Sequence, residues 1–135
     1  MGIGGVGASN TDALAFGGYD SKQRTYTETW NGSAWTELND LNTARETAGN
    51  FGTSTAALYA GGYTGSFVGV TEDWNGVSWV EVADLSTARA YSLAGGGTTT
   101  AGFVAGGQTA SGGANKTAAT EEWSGSSVAT KVLTD

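Results

Sequence analysis

The sequence predicts an all-β fold, and three observations support this prediction: its composition, a recurring Trp-Asn-Gly stretch and an internal repeat. Glycine accounts for 23 of the 135 residues, and Thr, Ala and Ser are abundant. Such a composition favours short strands joined by tight turns over helices. The length is that of one domain, and we treat residues 1–135 as a single unit.

The Trp-Asn-Gly stretch occurs twice almost intact and once in a degenerate form. Residues 71–79 read TEDWNGVSW, residues 27–35 read TETWNGSAW, and residues 120–128 read TEEWSGSSV. Asn-Gly between two alternating runs is a strong hairpin signal, because a type I′ turn needs positive φ at both central residues. We therefore predict hairpin tips at Asn31-Gly32, Asn75-Gly76 and Ser124-Gly125. The two tryptophans of each intact copy are expected on one face of the hairpin, opposite or diagonal, in a packing role. These are Trp30, Trp35, Trp74 and Trp79, and Trp123 of the third copy is expected to pack in the same way.

The repeat has a period of 44 residues, which separates Trp30 from Trp74 and Arg45 from Arg89. It divides the chain into residues 1–45, 46–89 and 90–135, and the third copy carries small insertions. Each copy reads as four short strands: a glycine-rich first strand (3–8, 47–52 and 91–96), an apolar second strand ending in Gly-Gly, and the two arms of the hairpin. Four strands per repeat of 40 to 50 residues are typical of a β-propeller blade.

The same residues resemble the kelch repeat family over the whole chain. Kelch repeats have a similar second strand closing on Gly-Gly, here Gly17-Gly18, Gly61-Gly62 and Gly106-Gly107. They also have an aromatic residue in the third strand, a Trp opening the fourth, and an Arg shortly before the next first strand. This chain departs from the pattern in using Trp as the third-strand aromatic, in lacking the Pro before that Arg, and in having Val128 at the last Trp position. A weaker similarity is to kelch-like arrays of phages and environmental genomes. The resemblance implies three four-stranded blades, half of a six-bladed ring.

Recurring charged residues suggest an ion pair inside the repeat architecture. Glu28, Glu72 and Glu121 each precede a third-strand Trp by two residues and so share its face. The spacing favours structural pairs of Arg45 with Glu72 and of Arg89 with Glu121 over a role in ligand binding. Glu28 has no Arg at the matching upstream position, so it is expected to find a partner elsewhere or to stay solvated.

The composition also weighs against several functional classes. Six Lys plus Arg against thirteen Asp plus Glu, a net charge of −7, argue against a nucleic-acid partner. The sequence has no His and no Cys, so it lacks the ligands of redox-metal sites and the residues of Ser-His-Asp and Cys-His catalysis. We expect no cofactor, no metal and no enzymatic activity. We also expect a soluble chain without a signal peptide or membrane span, and its localisation stays open.

A candidate binding face lies on the loops between the second and third strands, which differ most among the repeats. In propellers these loops and the links between blades open on one face, which kelch-type domains commonly use for peptides. If this face binds a peptide or glycan, the expected residues are Tyr19, Arg24, Tyr26, Tyr63 and Phe67. Solvated loops without a ligand are the alternative.

Three blades leave one uncovered sheet face at each end, and neither end carries the polar cap that terminal repeats normally have. The sequence therefore predicts a homodimer that closes a six-bladed ring and serves as a structural or binding scaffold. The alternative is a carbohydrate- or receptor-binding module, for example of a phage tail protein.

Overall fold

The computed structural model describes residues 2–125 and 128–131, and these residues form three four-stranded antiparallel sheets. The first sheet, called blade one, contains β1 (Gly4–Ser9), β2 (Asp12–Phe16), β3 (Thr27–Trp30) and β4 (Trp35–Glu37). Blade two contains β5 (Gly49–Thr53), β6 (Ala56–Ala60), β7 (Thr71–Trp74) and β8 (Trp79–Val82). Blade three contains β9 (Ala90–Thr98), β10 (Ala101–Gln108), β11 (Thr120–Trp123) and β12 (Val128–Lys131). The predicted all-β fold of four-stranded blades is confirmed.

The first strands of the three blades lie side by side and order the blades in space. Strand β5 contacts both β1 and β9, so blade two lies between blades one and three. The Thr47 amide donates to the Gly2 carbonyl at 3.0 Å, and the Tyr91 amide donates to the Thr47 carbonyl at 3.1 Å. Both Thr47 and Tyr91 have a positive φ, 55° and 54°, which turns the chain as it enters each new blade. The regular part of β5 therefore starts two residues later than predicted.

The hairpins occur where they were predicted, but the predicted turn type is wrong. Trp74 pairs directly with Trp79, so the loop has four residues rather than two. Only the glycine of each Asn-Gly pair has a positive φ, 94° at Gly32 and 92° at Gly76. The Asn75 side-chain oxygen instead accepts the amides of Val77 and Ser78, both at 3.0 Å. The side chain thus supplies the turn hydrogen bonds, and a type I′ backbone is not needed.

The first two Gly-Gly pairs directly follow β2 and β6 and contact the link to the next blade, whereas the third pair lies within β10. Gly61 and Gly62 have φ of 71° and 113°, a region that side chains with a Cβ rarely adopt. The Gly62 amide donates to the Arg89 carbonyl at 2.8 Å, and the equivalent Gly18 amide donates to the Arg45 carbonyl at 2.9 Å. A Cβ on Gly61 would lie 2.6 Å from the Arg89 carbonyl oxygen. These positions therefore need glycine both for the backbone conformation and for the close approach of the next blade.

Two hydrophobic clusters lie between the blades. Between blades one and two, Phe16 packs edge-on against Tyr59 and Trp79, with ring centroids 5.0 and 4.8 Å apart. Between blades two and three, Leu58 packs with Trp123 and neighbouring apolar residues. Blade two therefore buries both of its faces against its neighbours, and blades one and three each bury one, as expected for repeat proteins.

Within the part of the chain that the structure describes, no helix is long and apolar enough to cross a membrane.

Candidate functional site

A buried ion pair joins the link between blades one and two to the third strand of blade two. Arg45 and Glu72 are fully buried, and Arg45 Nη1 donates to Glu72 Oε2 at 2.5 Å. Arg45 Nη2 also donates to the Tyr59 carbonyl at 2.7 Å, and its guanidinium lies 4.6 Å from the centre of the Tyr59 ring. The second oxygen of Glu72 accepts the Asn42 amide at 2.7 Å. The carboxylate is therefore held by the side chain and the backbone of one linking segment.

Blade three repeats this arrangement. Arg89 is fully buried and donates to Glu121 Oε1, while Glu121 Oε2 accepts the Ser86 amide at 2.7 Å. Arg89 also donates to the Ala119 carbonyl at 2.7 Å. Both pairs expected from the repeat spacing are thus present.

In blade one, the carboxylate equivalent to those of Glu72 and Glu121 belongs to Glu28, and it is exposed to solvent. Glu28 pairs with Ala15 across β3 and β2, in the register in which Glu72 pairs with Tyr59. Unlike Glu72, it is exposed, and it lines an open concavity of about 350 Å³ together with Tyr26 and Glu37. In residues 2–125 and 128–131, no ion pair of Glu28 is described. This carboxylate is accessible to a partner.

The tryptophan pair of blade one is also uncovered. Trp74 and Trp79 stack in blade two with centroids 5.4 Å apart, and Trp79 is only 4 % exposed because blade one covers it. Trp30 and Trp35 form the same pair at 5.5 Å, yet Trp35 is 50 % exposed. Five tryptophans were predicted to pack, and the structure places four of them at least partly in the interior while leaving Trp35 on an open face.

The outer face of blade three also exposes a large apolar side chain. Leu14 and Leu58 occupy equivalent positions on the second strands of blades one and two, and each is 1 % exposed. Phe103 occupies that position in blade three and is 43 % exposed. Phe103 was not singled out from the sequence, because its exposure depends on what lies beyond blade three. The blade-one face and the blade-three face are the two uncovered sheet faces of the chain.

The five residues predicted for the binding face separate into two groups. Tyr19, Arg24 and Tyr26 line one concavity of about 310 Å³ together with Ile3 and the Gly17-Gly18 pair. Arg24 lies 5.4 Å from the centre of the Tyr26 ring and donates to Asp20 at 2.5 Å. That hydrogen bond lowers the pKa of Asp20. The Arg24 guanidinium is thus held in place by residues of its own loop.

Tyr63 and Phe67 belong to a second group, which includes a residue that the sequence analysis missed. Their ring centroids lie 5.4 Å from each other and 5.6 and 5.8 Å from the ring centroid of Tyr91. Burial, and secondarily the nearby Glu46 carboxylate, raise the pKa of Tyr91. Tyr91 was assigned to the first strand of blade three and lies in β9, where its positive φ of 54° departs from regular strand geometry. The available signal was an aromatic residue at a position where the other two repeats have Ile3 and Thr47.

A metal site is not described. In the residues that the structure covers, no group of three or more His, Cys, Asp or Glu side chains could hold a metal ion.

Comparison with known proteins supports the fold alone. One similar solved structure is titled "Structure of YjhT"; the match has a TM-score of 0.77 at 14 % sequence identity and covers 97 % of this chain and 45 % of that chain. The likeness shows a propeller-type fold, and this chain spans less than half the length of that one. In all, 102 chains of solved structures match, so the fold is common and does not single out a function. No protein-family model and no curated protein matches the sequence.

Proposed function

We propose that this chain is a non-enzymatic, kelch-like half-propeller that pairs with a second copy to form a closed β-propeller, which serves as a binding scaffold. The observation that carries the proposal is the contrast between Trp35, which is 50 % exposed, and the equivalent Trp79, which is 4 % exposed. An exposed large aromatic side chain on a sheet face that has no neighbouring blade is typical of an interaction surface. A neighbouring blade would bury Trp35 as blade one buries Trp79.

The two uncovered faces carry residues equivalent to those that form a hydrogen bond between blades one and two. In that contact, Trp79 Nε1 donates to Thr27 Oγ1 at 2.9 Å. Trp35 is the counterpart of Trp79 in blade one, and Thr120 is the counterpart of Thr27 in blade three. Closure would therefore let Trp35 of one chain donate to Thr120 of the other.

The sizes of the opposing side chains fit the same arrangement. The blade-one face presents small residues on its first two strands, Gly5 and Ala15 among them, and they line an open concavity of about 620 Å³ together with Trp35. The blade-three face presents the bulky Phe103 at the position of Leu14. A larger side chain on one face would thus fill the space left by smaller ones on the other.

Chain length and symmetry support closure by two copies. Propellers typically contain four to eight blades, and two copies of three blades make six. One chain covers 45 % of the propeller-type structure it resembles, so two copies supply about the length of one such chain. Two-fold symmetry gives two identical junctions, each joining blade three of one copy to blade one of the other.

Charge substitution on the blade-one face tests this proposal. Trp35→Glu should convert the assembly to monomer in sedimentation velocity, because the junction would bury an unpaired carboxylate. Val77→Glu is the matched control, since Val77 is 68 % exposed at a hairpin tip away from the face, and it should leave the mass unchanged. An unchanged mass for both variants would contradict the proposed junction.

A second candidate function is recognition of a glycan or peptide on the loop face, as in a carbohydrate- or receptor-binding module. The observation that favours it is the cluster of Tyr19, Arg24 and Tyr26 around one concavity, where Tyr26 is 51 % exposed. Exposed aromatic rings beside a positioned guanidinium suit sugar or peptide stacking. A glycan array tests it: reproducible binding that Tyr26→Ala abolishes and Val77→Ala preserves would support the module, and silence across the array would oppose it.

A further inference from the structure

The structure contains two filled copies and one open copy of the same three-part binding arrangement. In the filled copy of blade two, the linking segment Leu-Asn-Thr-Ala-Arg contributes a leucine, a backbone amide and a guanidinium. Leu41 is buried in the cluster that includes Trp79, the Asn42 amide donates to Glu72, and Arg45 donates to both Glu72 and the Tyr59 carbonyl. In blade three, the segment Leu-Ser-Thr-Ala-Arg contributes the same three groups, and Arg89 donates to Glu121 and to the Ala119 carbonyl.

The receiving half in blade one has the same components. Trp35 takes the position of Trp79, Glu28 that of Glu72, and the Ala15 carbonyl that of Tyr59. Glu28 and Trp35 are exposed, and Glu28 borders a concavity of about 350 Å³. We name the surface formed by Ala15, Glu28 and Trp35 the open socket.

A second copy of this chain has no arginine to place in the open socket. The sequence contains three arginines. Arg45 and Arg89 are fully buried in their own ion pairs, and Arg24 is held by Asp20. Face packing between copies, as proposed above, would therefore bring no free arginine to the carboxylate of Glu28.

We infer that the open socket binds an arginine-bearing segment of the type Leu-x-Thr-Ala-Arg supplied by another polypeptide that carries such a repeat. Charge complementarity selects arginine, because a guanidinium can donate at once to a carboxylate and to a strand carbonyl, as Arg45 does. The leucine would cover Trp35, and the backbone amide of the next residue would donate a hydrogen bond to the second carboxylate oxygen of Glu28. The inference does not depend on ring closure, since the residues of blade one alone form the open socket. Ring closure does not exclude it either, because face packing and a bound segment coexist between blades one and two.

A peptide with the chain's own sequence LNDLNTARE, residues 38–46, is a suitable probe. In the intact protein the equivalent sites at Glu72 and Glu121 are occupied, so the free site for the peptide is the open socket. Fluorescence anisotropy of the labelled peptide should show saturable binding with one peptide per chain. The same peptide with Arg45→Ala should bind about tenfold more weakly or worse, as expected for loss of a charge-assisted hydrogen bond.

Protein variants locate the binding. Glu28→Gln should weaken binding of the unmodified peptide about tenfold or more, whereas Glu37→Gln, which removes the same charge from the same concavity, should leave it nearly unchanged. Both residues are exposed, so both variants should fold, which circular dichroism checks. Absence of binding at millimolar peptide, equal binding of the Arg45→Ala peptide, or equal effects of the two protein variants would each overturn the inference. The chain mass, measured in parallel, reports separately on ring closure.

Discussion

Removal of Arg45 should be among the most destabilising single changes in this protein. Arg45 and Glu72 both have 0 % side-chain exposure, so Arg45→Met would leave a buried carboxylate whose remaining described hydrogen bond comes from the Asn42 amide. Breaking a buried pair by removing one partner typically lowers the free energy of unfolding by about 3–5 kcal/mol. With a urea dependence of about 1–3 kcal/mol per molar, the midpoint should fall by roughly 2 M.

Urea unfolding followed by tryptophan fluorescence measures this loss, with all variants at one protein concentration. Arg24→Met is the matched control, because the Arg24–Asp20 pair is exposed to solvent and should contribute little. The double variant Arg45→Met with Glu72→Met should recover much of the loss, since no charge then remains buried. Equal midpoints for Arg45→Met and Arg24→Met would refute the account of the buried pair. So would a double variant whose loss of unfolding free energy equals the sum of the losses of the two single variants.

Three further outcomes follow from the same packing. Replacing Gly61 and Gly62 together by Ala should abolish the fold in circular dichroism, because both have positive φ and the added Cβ atoms would lie 2.6 and 2.8 Å from carbonyl oxygens of neighbouring links; a melting temperature within a few degrees of the parent would argue against this. Trp74→Ala should lower unfolding free energy by about 3–5 kcal/mol and Tyr63→Ala by clearly less, since Trp74 is 1 % exposed and Tyr63 is only partly buried; equal losses in chemical denaturation would contradict the division. Burial raises the pKa of Tyr59 to about 12. The protonated phenol therefore contributes up to about 2–3 kcal/mol to the free energy of unfolding below pH 10, and this contribution should be lost as the pH rises through 12. In unfolding measured against pH, Tyr59→Phe should show a flatter profile.

The blade architecture and the ion pairs could be predicted because the repeats copy the register of the strands. Once Glu72 and Trp74 are placed on one face by their spacing, the matching TEEW stretch of the third copy, shifted by its insertions, places Glu121 and Trp123 alike, and the arginines follow from the links. The same logic predicted the Gly-Gly pairs, which depend on local backbone conformation.

Other features depend on contacts that the local sequence does not specify. The Asn75 side chain takes over the hydrogen bonds of the hairpin loop, so the turn differs from the type that Asn-Gly favours. The cluster of Tyr63, Phe67 and Tyr91 joins residues of two blades, and the backbone of Tyr91 adopts a positive φ at the start of blade three. The exposure of Trp35 depends on which surfaces a chain of three blades leaves uncovered, and a repeat pattern alone does not reveal it.

The central proposal is that two copies close one ring, and the mass of the unmodified chain in solution tests it most directly. Static light scattering across a dilution series should give twice the chain mass of 13.6 kDa at micromolar concentration, with dissociation and loss of cooperative unfolding appearing together on dilution. A mass of 13.6 kDa at every concentration, in a chain that still unfolds cooperatively, would contradict the account.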